Sequence, residues 1–267
     1  MSPETALLRI DAVSKFFGGL AAVDGVSFDI QEGEILGLIG PNGSGKSTMI
    51  NLISGLYPLS GGEIYFEDRR ISGLPPHRIA RLGIGRTFQL LRLFQGLSVY
   101  DNVLTGTHIA GSRGSMVSAV RRALTGGEEA WMRERAHEVL EFVGLAERSA
   151  TLANQLTAGE GRLLELARAL AADPQLILLD EPAAGLNTAE TALLERRLRA
   201  LQGQGKSLLL VDHEMRLMMR LASRVVVLNE GKILAQGTPA EIQADARVIQ
   251  AYLGSGVAQR RRKENKT

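Results

Sequence analysis

The most chemically specific stretch of this chain is Gly40, Pro41, Asn42, Gly43, Ser44, Gly45, Lys46, Ser47 and Thr48. It fits G-x-x-x-x-G-K-[ST], with Gly40, Gly45, Lys46 and Ser47 at the fixed positions. Glycines let a backbone curl until successive N–H groups point at one anion. A helix opening behind them adds a partial positive charge of about +0.5. That is small against a triphosphate, so Lys46 and a divalent cation must do most of the neutralising. The Ser47 hydroxyl is suited to hold that cation.

A second set of candidates is acidic. Leu176-Ile177-Leu178-Leu179 is an apolar run that delivers Asp180 and Glu181 at its end. Ligands of open α/β sheets collect at the carboxyl ends of strands. Asp180 suits a magnesium shell, and Glu181 suits a base or a water-positioning group. His213 follows another apolar run, Ser207–Val211, and could orient water or sense a terminal phosphate. His77, His108 and His137 read as structural. Gln89 stands where the sequence changes character, with Arg86-Thr87-Phe88 before it, and could reach the cation or water. Phe17, in preference to Phe16, offers a ring for a base to stack on, a contact of about 1–3 kcal/mol that is indifferent to base identity.

These residues need a frame. Glu34–Ile39 reads as a buried strand before the glycine loop, and Thr48–Ile53 as a helix opening after it. Leu7–Phe17, Val26–Ile30 and Gly61–Phe66 read as strands of an antiparallel sheet beside a parallel one. Pro75-Pro76-His77 opens a short helix that ends before Gly83. From there to about Gln155 helical periodicity dominates: Ser98–Leu104, then Glu128–Val143, stopped by Gly144, with a loop at Gly111–Ser115 between them. Thr157–Ala172 is a further helix, Gln175–Leu179 a strand, and another helix starts near Thr188. Ser207–Val211 is a strand. Arg224–Leu228 and Lys232–Gln236 form a hairpin. Thr238-Pro239-Ala240-Glu241 is a helix start with its cap. The expected class is α/β, a P-loop NTPase with a RecA-like parallel sheet, an antiparallel β subdomain and an inserted helical subdomain. The expected segments are 1–86, the first part of the nucleotide-binding core with the antiparallel strands; 87–160, the helical subdomain; 161–242, the second part of the core; and 243–267, a C-terminal helix and basic tail.

Composition narrows the class. The 267 residues are 45% hydrophobic and 22% charged, enough for a large packed core. Cys is 0, which excludes thiol chemistry, disulfides and cysteine metal sites. No secretory pattern opens the chain, and no apolar run approaches the ~18 residues that span a bilayer. A membrane role must therefore come through partners. The net charge of +2 is modest, and Arg260, Arg261, Arg262 and Lys263 read as a solvated tail.

The motifs together resemble the ATP-binding-cassette ATPases. Gly40–Thr48, Gln89, Leu156-Thr157-Ala158-Gly159-Glu160, Leu179-Asp180-Glu181-Pro182, Ala184-Gly185-Leu186-Asn187 and Asp212-His213-Glu214 follow the family's order over nearly the whole chain. Gly83–Gln89 with Arg92-Leu93-Phe94, and the ending Ala251-Tyr252-Leu253-Gly254, look like the ATP-binding subunits of branched-chain amino acid importers. Subunits for urea, other amides or lipopolysaccharide export look similar. Non-transport members usually carry two cassettes or a long coiled-coil insertion, which this sequence lacks. The resemblance implies ATP and Mg2+ as ligands and a head-to-tail pair of ATPase subunits, identical or paralogous. Each ATP would lie between the glycine loop of one copy and Thr157, Ala158, Gly159 and Glu160 of the other. Ala158 and Glu160 depart from the family's usual LSGGQ. Catalysis would fall to Glu181, His213 and Gln89, and the metal to Ser47, Gln89 and Asp180. Two membrane permeases and, indirectly, an external binding protein are implied. The segment Gln89–Val103 would grip a permease helix at the cytoplasmic face of the membrane.

Overall fold

The computed structural model describes residues 6–87, 93–110, 127–212 and 215–252. They divide into two compact units: one takes the chain up to Pro75 and again from Ser207, the other takes Pro76–Lys206.

The first unit holds an antiparallel sheet and a parallel one. The strands β1 (Leu8–Phe17), β2 (Leu20–Ile30), β4 (Gly61–Phe66) and β5 (Arg69–Arg70) pair in the order β2-β1-β4-β5. Leu8 faces Ile30 on one side and Phe66 on the other. Leu8, Ile10, Val13 and Phe66 are buried and alternate with exposed positions, the pattern of a sheet wet on one face. In contrast, β3 (Ile35–Ile39) and β8 (Ser207–Val211) are buried at every position. Both faces of a parallel sheet are covered, so their sequences run apolar without alternating. β3 lies between β8 and β9 (Arg224–Asn229), parallel to both, and β10 (Lys232–Gly237) adds antiparallel to β9. Helix α1 (Lys46–Ile53) buries Met49, Ile50, Leu52 and Ile53.

The Arg224 guanidinium ties these layers together. It reaches Glu34 Oε1 at 2.9 Å, Asp29 Oδ1 at 3.2 Å and the Asp29 carbonyl at 2.6 Å. The hydrogen bonds it donates, to Glu34 first and to Asp29, hold its pKa above the ordinary arginine value.

The second unit pairs β6 (Ile84–Arg86) with β7 (Leu176–Asp180) in parallel. Its helices are α2 (Pro76–Leu82), α3 (Val99–Ala110), α4 (Glu128–Val143), α5 (Ala158–Ala171) and α6 (Thr188–Gly203). Trp131 and Met132 of α4 pack with Leu104 of α3. Gly144 ends α4 at φ 80°, the left-handed stop the sequence signalled. Helix α3 runs six residues past the expected Leu104. Thr-Gly-Thr reads locally as a stop, but Thr105 and Thr107 donate to the carbonyls of Asn102 and Leu104, both at 2.7 Å. Gly106 lacks the Cβ that would collide with the Arg168 carbonyl, so α3 passes close to α5. Packing overrides propensity here. The remaining helices, α7 (Met215–Leu221) and α8 (Pro239–Ala244), belong to the first unit, as does a helix over 246–252. Thr238 caps α8 by a capping box with Glu241 and with proline in the first turn, as its sequence predicts.

Candidate functional site

The glycine loop is the best-defined part of the site. β3 brings the chain to Gly40, and α1 starts at Lys46. Gly40, Gly43 and Gly45 take φ of 153°, 83° and 107°, which side chains oppose. Space is short as well. A Cβ on Gly40 would collide with the Leu228 carbonyl, and one on Gly45 would lie 2.5 Å from the Ala22 carbonyl. The loop is therefore wedged between the end of β9 and β2. Ser44 fastens it, donating its N–H to Pro41 O at 3.2 Å and accepting from the Gly231 N–H at 3.1 Å. Lys46 is only 7% exposed, and its ammonium donates to the carbonyls of Gly40 (2.7 Å) and Pro41 (3.0 Å). This folds the cation back over its own loop.

Two observations test the fit to a phosphate. No side chain caps α1, whose N-cap is Gly45. An uncapped first turn suits an anion. The Ser44 hydroxyl is buried and makes no hydrogen bond within the described residues. Such a group costs about 1–3 kcal/mol until something meets it, and a phosphate oxygen would. Behind the loop, the Tyr252 hydroxyl lies at the Gly40 backbone. Burial, with Asp212 adding to it and the Gly40 contact opposing, pushes its pKa up to about 12.

Phe17 ends β1 and is 43% exposed; Phe16, beside it, is 45% exposed. Phe17 is the ring with fixed neighbours: Tyr57 meets it edge-on at 5.4 Å, and the Lys15 ammonium stands 4.9 Å from its centroid. All these residues lie in the first unit.

The second unit carries the carboxylates. All five residues of β7 are buried, and Asp180 at its end is 4% exposed. The Arg86 guanidinium, brought alongside by the β6–β7 pairing, lies 3.8 Å from Asp180. Sequence reading placed Arg86 only as a neighbour of Gln89, because nothing local reveals which acid a basic residue will face. Glu181 follows at φ 49°, a left-handed conformation that is unusual for a glutamate.

The segment Thr157–Glu160 forms the capped start of α5. Thr157 Oγ1 accepts the Glu160 N–H at 3.2 Å, and the Glu160 carboxylate accepts the Thr157 N–H at 2.9 Å. Arg148 Nε stands 3.5 Å from the other Glu160 oxygen. The acid that departs from the family pattern is thus locally employed and partly neutralised. Thr157 and Ala158 are exposed, and Gly159 is buried. Gln89 and His213 lie outside the described residues, as do the loop Gly111–Ser115 and the basic tail.

Comparison with known proteins adds to this geometry. The family described as "ABC transporter" matches residues 23–184, and "Branched-chain amino acid ATP-binding cassette transporter" matches residues 232–258. The high-affinity branched-chain amino acid transport ATP-binding protein LivG of Salmonella typhimurium is 40% identical over 249 residues, 93% of this chain and 98% of its own length. Among solved structures, the ADP conformation of the ATP-binding cassette MJ1267 superposes with a TM-score of 0.82 at 31% identity, over 94% of this chain and 99% of that one. The dimeric post-hydrolysis state of the cassette MJ0796, bound to ADP and Pi, gives a TM-score of 0.73 at 28% identity over 87% and 98% of the chains.

Proposed function

The chain belongs to the ATP-binding-cassette transporter family as an ATP-hydrolysing subunit, and we propose that it powers import of branched-chain or related amino acids through separate membrane permeases. The observation that carries the cargo class is the match of 232–258 to the branched-chain cassette family, in a chain 40% identical to LivG along nearly its whole length. This favours import over lipopolysaccharide export, which the shared motifs alone leave open.

In this reading the loop Gly40–Thr48 holds the phosphates, Lys46 neutralises them, and Phe17 stacks on the base. Ser47, Gln89 and Asp180 are assigned to the magnesium ion, which offsets phosphate charge when bound. Glu181 positions or deprotonates the attacking water, and His213 senses the terminal phosphate. Thr157–Glu160 meets the ATP of a second ATPase subunit. Nucleotide clasped from both sides favours the closed pair. Moving a 1:99 ratio to 99:1 requires about 5.5 kcal/mol of differential binding. Hydrolysis removes the clasp. The segments 1–86 and 161–242 would carry the nucleotide, 87–160 the permease contact, and 243–267 a support.

Two experiments test this. Glu181→Gln should form stable pairs in MgATP, seen by light scattering, and lose at least ~100-fold in turnover, the scale of a general-base contribution. Full turnover in that variant would remove Glu181 from the role. Reconstitution with its permeases and binding protein should give ATP-dependent uptake of leucine, isoleucine or valine into vesicles. Outward movement of lipid instead would reverse the assignment.

A further inference from the structure

Two capped helix starts in the second unit touch at a single glutamate. Helix α6 opens at Asn187, whose Oδ1 accepts the N–H groups of Ala189 (2.9 Å) and Glu190 (3.0 Å). The Glu190 carboxylate returns the bond, its Oε2 accepting the Asn187 N–H at 2.9 Å. Its other oxygen, Oε1, lies against Gly159 in the first turn of α5. Gly159 is absent from the positive-φ glycines, so its backbone does not demand glycine. What demands it is space: an added Cβ would run into the Glu190 carboxylate and reach its Cγ at 3.1 Å. One carboxyl group thus has one oxygen at each helix start.

We propose that Glu190 is a positioning residue that couples Thr157–Glu160 to Ala184–Asn187 within the same chain, so that moving either loop moves the other. A methyl at Gly159 can be accommodated only by swinging the flexible Glu190 tip away. That swing breaks the bond to the Asn187 N–H and removes the Glu190 half of the capping box at α6, leaving the Asn187 side chain as its cap. A phosphate drawing the first loop forward gives Glu190 room in the opposite sense. The inference rests on the reading that 157–160 meets nucleotide. It adds that the occupancy of that loop is transmitted to 184–187 through this carboxylate.

The contact is tested without nucleotide. Amide exchange in the full chain should quicken about tenfold across 184–191 in Gly159→Ala, and G159A combined with Glu190→Ala should be no faster than E190A alone. Such non-additivity is the mark of direct coupling. Unchanged exchange at 184–191 in G159A overturns the proposal. If G159A does not fold, E190A must quicken exchange at 157–161 as well as 184–191, and an effect confined to 184–191 overturns it. The function is tested in the Glu181→Gln background, by the ATP concentration that half-saturates pairing. E190A should raise it about tenfold, while Glu190→Gln, which keeps an oxygen for the Asn187 N–H, should stay within twofold. A merely stabilising Glu190 would lower the melting temperature and leave that concentration unmoved. If E181Q itself never pairs with ATP, the functional reading fails. If it pairs and E190A does not shift the concentration, only the coupling fails.

Discussion

Glu181 is held at φ 49° where the chain leaves β7, with the Ala184 N–H donating to its carbonyl at 3.1 Å. A side chain in that region is strained, and strained residues gather at functional sites. The two properties can be separated. Glu181→Gly should raise stability by about 0.5–1 kcal/mol, since glycine enters the left-handed region without steric penalty. The same change should abolish ATP turnover. A urea melt beside an ATPase assay checks both, and a variant no more stable than the parent would show that the glutamate side chain repays its own strain. The loop conformation of the candidate site was legible in the sequence for a simple reason: a curled glycine loop is built from backbone conformations, and glycine spacing writes those directly. The partners of Asp180 and Gly40 were not. Arg86 and Tyr252 reach them from elements far away along the chain, and no local pattern encodes that meeting.

Among the elements, the strands most readily recognised were those buried on both faces. Leu176–Asp180 and Ser207–Val211 run apolar because each has neighbours above and below. Helix α3 was read short because Thr105, Gly106 and Thr107 carry weak helix propensity, while the packing against α5 that keeps them helical is invisible locally. The clasp of Arg224 on Glu34 and Asp29 joins the start of β9 to the end of β2 and to the residue before β3. Arg224→Lys keeps the charge but loses the fork that serves both acids. With the side chain 29% exposed, solvent screens part of the interaction. The expected loss is about 1–2 kcal/mol, read as a lower urea midpoint at unchanged slope. A change in slope would instead point to an altered unfolded state.

For the whole molecule, ligand linkage gives the most direct measurement. ATP at one hundred times its dissociation constant stabilises the folded chain by about 2.7 kcal/mol, a rise of roughly 5–10 °C in melting temperature for a chain of this size. Lys46→Ala should remove most of that rise while leaving the nucleotide-free melting temperature within a few degrees. An undiminished rise would place the nucleotide elsewhere. Chain order has a further effect. β3, which leads into the glycine loop, takes as one neighbour a strand roughly 170 residues later, with Ile35 beside Leu208. At ribosomal speeds of about 5–20 residues per second, that neighbour emerges some 10–35 s after β3 does. For that interval an uncharged, wholly apolar strand hangs from the ribosome with both edges open, and a prematurely stopped message would leave it so. The nascent polypeptide is then most adhesive just before its final quarter is made, and that is when a holding chaperone is needed.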